Sequence, residues 1–178
     1  QTQHSADLSK KIKMMSVLPV LWGGIHPSLL SEQCLGEDYI DFITVGEGEE
    51  TIVEFSRKYQ NKEPLENVLG LGYKKDGRRY LNQARPLIKN LDLWPLDFSL
   101  VDVEKYIYKL DKYERVIAYK ASRGCPFNCA FCYNRSFNQG RWRAWSIERV
   151  VADMEYLKKN YRVEAVKFYD DNFFVDKS

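Results

Sequence analysis

The chain is 178 residues long and carries 27 Lys and Arg against 25 Asp and Glu, a formal net charge of +2. Acids and bases are interspersed, which gives no electrostatic case for nucleic acid or for a membrane surface as partner. With 44% hydrophobic residues, no apolar run approaching the ~18 residues of a membrane span and no signal-peptide pattern, a soluble globular protein is expected. Three of its four cysteines are clustered, which fits a reducing cytoplasm better than a disulfide framework.

Residues 6–15 read as a short helix with Leu8, Ile12 and Met15 on one face. An apolar run, 17–22, ends in Gly23-Gly24, and Pro27 then opens a helical stretch through Cys34, a position where a proline costs no hydrogen bond. Residues 39–45 form a second buried-type strand closed by Gly46-Glu47-Gly48, and 49–59 an amphipathic helix on Ile52, Phe55 and Tyr59. Strands alternating with helices predict a parallel α/β sheet. Glycine-rich strand-to-helix turns often cradle phosphates, but Glu47, Glu49 and Glu50 repel an anion at the second turn. Taken alone, the two turns read as tight connections whose acids favour the helix dipole, and His26 as a turn residue before Pro27.

Past Asn61 the pattern changes. Residues 68–74 and 79–82, joined by Asp76-Gly77, read as a β-hairpin, and 90–95 as an extended connector; neither is assigned chemistry. Segment 101–113, rich in Tyr and Lys, fits a short helix or irregular structure equally. Residues 116–121 then form a β-branched and aromatic strand leading to the cysteines.

Cys125, Cys129 and Cys132 follow a C-x3-C-x2-C spacing. Three thiolates this close in sequence can wrap one face of a 4Fe-4S cubane, which normally takes four cysteines, and so leave one iron open to a substrate. Zinc is the competing reading. Structural zinc sites want four closed ligands in paired knuckles, and here a fourth would have to come from Cys34, His4 or His26, all remote in sequence. Beyond the triad, Arg141-Trp142-Arg143-Ala144-Trp145 is either a solvated basic loop or a contact for an anionic group. Ser146 caps a helix with Ile147, Val150, Val151, Met154 and Leu157 on its apolar face, and residues 165–174 form a strand ending in Asp170, Asp171 and Asn172. Adjacent acids at a strand end serve as turn formers or as ligands.

Ser122-Arg123-Gly124 after a strand, then C-x3-C-x2-C with Phe131 just before the last cysteine, resembles the signature of radical S-adenosylmethionine (SAM) enzymes. The resemblance implies that SAM chelates the open iron through its amino and carboxylate groups and is cleaved by one electron to a 5'-deoxyadenosyl radical. In that family the second barrel strand ends in a Gly-Gly-Glu-like motif that binds the SAM ammonium; Asp170-Asp171-Asn172 stands in its place, which makes Asp170 and Asp171 the candidates. Trp22-Gly23-Gly24-Ile25-His26-Pro27 with Val45-Gly46-Glu47-Gly48-Glu49-Glu50-Thr51 is similar to the second half of the cobalamin-binding domain fused to many radical SAM enzymes. It implies that Gly23, Gly24, Gly46 and Gly48 border cobalamin. The Asp-x-His-x-x-Gly loop of that domain's first half does not occur before Trp22.

The expected layout is therefore α/β: residues 1–62 the C-terminal half of a Rossmann-like cobalamin-binding domain, 63–113 a hairpin and linker, and 114–178 the first strands of a radical SAM partial (β/α) barrel. Only two barrel strands are present, where a barrel needs several more, so the chain reads as a fragment. The implied cofactors are a 4Fe-4S cluster, SAM and cobalamin. The implied partners are a small-molecule substrate and an external electron donor such as flavodoxin or ferredoxin. The implied reaction is cobalamin-dependent methyl transfer to an unactivated carbon, with a radical rearrangement or cyclisation, or a non-catalytic zinc-stabilised module, as alternatives.

Overall fold

The computed structural model describes residues 2–175; Gln1 and residues 176–178, the outer ends of the expected first and last segments, lie outside the described residues. The chain divides into two compact units, Gln1–Leu87 and Ile88–Ser178.

The first unit opens with helix α1 (Thr2–Met15), which buries Ala6 and Ser9. The apolar run after it is mostly outside the sheet: Val17 is 99% exposed, and strand β1 is only Leu21–Trp22. The expected helix over 27–34 is two helices, α2 (Ile25–Leu29) and α3 (Ser31–Gly36), broken at Leu30, whose φ of −127° and ψ of 47° are not helical. Strand β2 (Phe42–Thr44) pairs parallel with β1, and helix α4 (Glu49–Gln60) follows, with acids in its first turn and Arg57 and Lys58 in its last.

Strands β3 (Leu71–Lys75) and β4 (Arg78–Leu81) form the hairpin across Asp76 and Gly77, both at positive φ as the right-handed strand twist requires. The sheet order is β1-β2-β3-β4, and only β1–β2 is parallel. The expectation of a parallel sheet is thus corrected to a mixed one. The hairpin docks antiparallel on β2, with Gly72 opposite Ile43, where a Cβ would sit 2.7 Å from Ile43 Cγ1; lacking that atom, the two backbones pair. One face of the sheet packs Phe42, Phe55, Val68, Leu71 and Tyr73, and a second cluster joins Cys34, Leu35, Ile40 and Ile43. Arg85 donates to Thr51 Oγ1 at 2.9 Å and to Glu54 at 2.5 Å, so the chain after the hairpin is tied to α4. Residues 63–87 consequently belong to the first unit, and the remainder of the expected linker to the second.

In the second unit the undecided segment resolves into a 3-10 turn (Val103–Tyr106) and strand β5 (Ile107–Leu110), which is antiparallel to β6 (Tyr113–Tyr119). Short strand β7 (Ser122–Arg123) leads into the cysteine loop, helix α5 (Asn134–Phe137) leaves it, and β8 (Arg143–Ala144) returns to pair with β7. Helix α6 (Ile147–Tyr161) is capped by Ser146 Oγ, which accepts from Arg149 N at 3.2 Å, and connects to β9 (Ala165–Phe168), parallel to β6. The core comprises Val103, Ile117, Leu157 and Val163. The expected apolar face of α6 is only partly covered: Leu157 is buried, whereas Ile147 is 78% exposed. Asp153, on the same helix, is buried as well, accepting from Tyr119 Oη at 2.7 Å and paired with Arg149 at 2.9 Å.

Candidate functional site

Parallel pairing of β6 with β9 brings their C-terminal ends together, Tyr119 opposite Phe168, so the Asp170-Asp171-Asn172 turn lies against the start of the cysteine loop. Asp170 accepts from Ala121 N at 3.1 Å and from Ser122 Oγ. Asp171 accepts from Gly124 N at 3.3 Å, from Tyr133 Oη at 2.9 Å and from Lys120 Nζ at 3.4 Å. Both candidate carboxylates therefore hold the loop, a role that strand alternation alone did not suggest. Burial, reinforced by the hydrogen bond to Asp171, pushes the Tyr133 phenol up to about 12.

The loop is tightly seated at its entry. Gly124 has φ +86°, and a Cβ there would collide with the carbonyl of Arg141. The thiols of Cys125 and Cys132 are half-buried, Cys129 is exposed, and Phe131 is 93% exposed. Two amide donors reach sulfur: Asn172 Nδ2 to Cys125 Sγ and Asn134 Nδ2 to Cys132 Sγ, each at 3.8 Å. Asn134 is in turn bonded to Asn138, and Asn138 to Arg143. Sequence reading missed Tyr133, Asn134 and Asn138, and named Asn172 only as the end of the Asp-Asp-Asn stretch, because an amide or phenol carries no spacing signature.

Arg143, read from sequence as a solvated residue or an anion contact, donates to Ile88 O at 2.7 Å and to Asn138 within the unit. Beside the turn, a cleft of about 270 Å³ is lined by Trp142, Trp145, Val150, Val151 and Phe173 together with Ser122 and Asp170.

No three His, Cys, Asp or Glu side chains among the described residues converge as they would on a single metal ion. A cubane asks for a different arrangement, since each thiolate binds its own iron. Three thiols spread along one anchored loop, two of them receiving N–H donors, fit that group better than they fit a closed tetrahedral zinc site.

In the first unit, Gly23-Gly24 and Gly46-Glu47-Gly48 follow the parallel strands β1 and β2 at their C-terminal ends, the customary ligand edge of such sheets. Ser28 Oγ links them, donating to Gly24 O at 2.6 Å and accepting from Gly46 N at 2.9 Å. A Cβ on Gly23 would lie 2.6 Å from Thr44 Oγ1, and one on Gly48 3.6 Å from the same atom, whereas Gly24 (φ +93°) and Gly46 (φ +83°) face open space. All four glycines thus meet around Thr44 and Ser28. His26, read from sequence as a turn residue, lies instead within helix α2, its ring 6.2 Å from that of Trp22.

Residues 119–177, within the second unit, match the family model described as the radical SAM superfamily. An uncharacterized methyltransferase of Pyrococcus horikoshii, PH0819, is 36% identical over 160 residues, covering 89% of this chain and 34% of that protein. An anaerobic magnesium-protoporphyrin IX monomethyl ester cyclase of Synechocystis sp. is 32% identical over 162 residues, 90% of this chain and 32% of its own length. The chain spans about a third of the length of these relatives.

Among solved structures, the cobalamin-dependent SAM radical enzyme OxsB with aqua-cobalamin bound aligns with a TM-score of 0.70 at 22% identity, over 94% of this chain and 23% of that one. The radical SAM methyltransferase TsrM from Kitasatospora setae, with cobalamin and a [4Fe-4S] cluster bound, aligns with a TM-score of 0.69 at 15% identity, over 94% and 33%. Both units therefore share their α/β fold with these enzymes. No helix among the described residues is long and apolar enough to cross a membrane.

Proposed function

We propose that this chain is the part of a cobalamin-dependent radical SAM methyltransferase that holds a 4Fe-4S cluster, through Cys125, Cys129 and Cys132, and borders cobalamin with Gly23, Gly24, Gly46 and Gly48. In this reading the first unit is the second half of a Rossmann-like cobalamin domain and the second unit the start of a partial (β/α) barrel. The observation that carries it is the cysteine loop anchored at the joined C-terminal ends of two parallel strands, the edge where such folds assemble active sites. Bound there, the cluster supplies the electron that cleaves SAM to a 5'-deoxyadenosyl radical.

The chain's own residues bind and orient. Asp171 fixes both ends of the loop and Asp170 fixes the segment entering it. A carboxylate has about four lone-pair sites, so Asp170, which lines the cleft, keeps acceptor capacity for the SAM ammonium. The glycines keep side chains away from the open face at Gly24 and Gly46, where the nucleotide tail of cobalamin would lie. A small-molecule substrate and an electron donor of the flavodoxin or ferredoxin type complete the reaction.

The test is electron paramagnetic resonance of the anaerobically reconstituted full chain with and without SAM, beside iron, sulfide and zinc analysis. A 4Fe-4S signal that shifts on SAM addition is expected; one zinc and no cluster would overturn the reading in favour of a zinc-stabilised module. A ring-forming reaction is the second reading, favoured by the cyclase names among the relatives. Product mass separates the two, since methyl transfer adds one methyl group.

A further inference from the structure

We propose that Arg143, Asn138 and Asn134 form a directional relay that aims an amide donor at the Cys132 sulfur and so raises the reduction potential of the cluster which that thiolate helps to hold; the proposal rests on the cluster reading above.

The direction follows from the inventory of donors. A guanidinium only donates. Arg143, itself anchored by Nη1 to Ile88 O at 2.7 Å, presents Nη2 3.3 Å from Asn138. Asn138 must therefore turn its oxygen to Arg143 and its Nδ2 to Asn134, whose Oδ1 receives it at 2.5 Å. That leaves Asn134 Nδ2, and only Nδ2, to face Cys132 Sγ at 3.8 Å. The orientation of an amide is ordinarily ambiguous by shape, and here a cation at the far end decides it for both. Asn134 and Asn138 are 3% and 4% exposed, so water does not compete with either bond. They bracket α5, four residues apart, and Asn138 N bonds Asn134 O at 2.9 Å, which holds the two side chains on one face.

A hydrogen bond to a cluster sulfur favours the more negative, reduced state, and successive bonds polarise one another. Asn134 is thus a positioning and tuning residue, and Asn138 and Arg143 act through it.

The test uses the full chain, reconstituted anaerobically, with the midpoint potential followed by paramagnetic resonance during redox titration. Asn138→Asp keeps volume and keeps an oxygen toward Arg143, but sets its second oxygen against Asn134. Asn134 must then turn its donor away from Cys132 and offer its oxygen to the sulfur. The expected result is an about tenfold smaller equilibrium constant for reduction, about 59 mV more negative for a one-electron couple, at unchanged iron and sulfide content. Asn134→Ala is expected to shift the potential in the same direction, and adding Asn138→Asp to it to change nothing further. A wild-type potential in both single variants overturns the relay. So does a full further shift in the double variant, which would mean that the added charge acts directly. If Asn138→Asp assembles no cluster, Asn134→Ala alone decides. A wild-type chain that takes up no iron removes the cluster reading itself, an outcome seen in the metal analysis before any potential is measured.

Discussion

Tyr133 donates its hydroxyl to Asp171 at 2.9 Å, and the same carboxylate accepts from Gly124 N at 3.3 Å, so one side chain joins the residues immediately before the first and after the last cysteine of the triad. Asp171 is only 16% exposed at its side chain, which strengthens both bonds. Hydrogen bonds to a charged acceptor contribute about 1.5–3 kcal/mol each. Asp171→Ala is expected to release the loop and lower iron retention after desalting, with Asp171→Asn intermediate because it keeps one acceptor oxygen. Equal iron retention in all three proteins would remove the clamp.

Replacing Cys125, Cys129 or Cys132 individually by Ala is expected to abolish the cluster. Cys34 lies in the core of the first unit, 2% exposed, and burial raises its thiol. Cys34→Ala is expected to cost about 1 kcal/mol of stability through lost packing while leaving iron and sulfide content unchanged. A full cluster in any of the first three variants would overturn the ligand assignment.

Gly124→Ala and Gly140→Ala form a matched pair. Both sites have positive φ, +86° and +65°, and a Cβ at Gly140 meets nothing within 4 Å whereas one at Gly124 runs into the Arg141 carbonyl. Gly140→Ala is expected to cost about 1 kcal/mol for the left-handed backbone alone. Gly124→Ala must also separate the loop from the Arg141 segment that leads into β8, so thermal melting is expected to show a markedly larger loss, accompanied by loss of iron.

The Tyr119 phenol is raised above its usual range, first by burial and then by its hydrogen bond to Asp153. The unfolded chain therefore loses this proton first, near pH ~10, while the folded protein still holds it. Stability from this group is complete below that pH and is lost as pH rises through the folded value. Tyr119→Phe is expected to cost about 1.5–3 kcal/mol near neutrality, for the hydrogen bond to a carboxylate, and to flatten the decline above pH ~10 in denaturant titrations.

A Cβ added at Gly23 would lie 2.6 Å from the Thr44 hydroxyl oxygen. Gly23→Ala is expected to push the two glycine turns apart and lower cobalamin retention in the full chain, measured by visible absorption. Thr44→Ala in the same chain removes the obstructing atom and is expected to restore binding. No rescue would mean that Gly23 serves something other than this close approach.

Much of the local structure was legible because it is encoded by neighbours in the chain. The Ser146 cap, the Asp76-Gly77 turn, the helix from Glu49 and the strand before the cysteines each rest on a few adjacent residues whose backbone preferences agree. The C-x3-C-x2-C spacing is of the same kind, since it needs no fold to be seen. Tertiary structure decided what depends on partners distant in sequence. Gly72 admits the hairpin antiparallel onto β2, the stretch from Pro27 breaks at Leu30, and α6 buries Asp153 while leaving Ile147 outside. The site followed the same division: the three thiols were visible in the chain, whereas Asp171 turned to Gly124 and Tyr133, and Arg143 to Asn138, only once β9 and β8 had come to lie beside the loop. A side chain's type limits the bonds it can make, but which donor meets which acceptor is settled by long-range packing, and single-residue patterns carry no record of it.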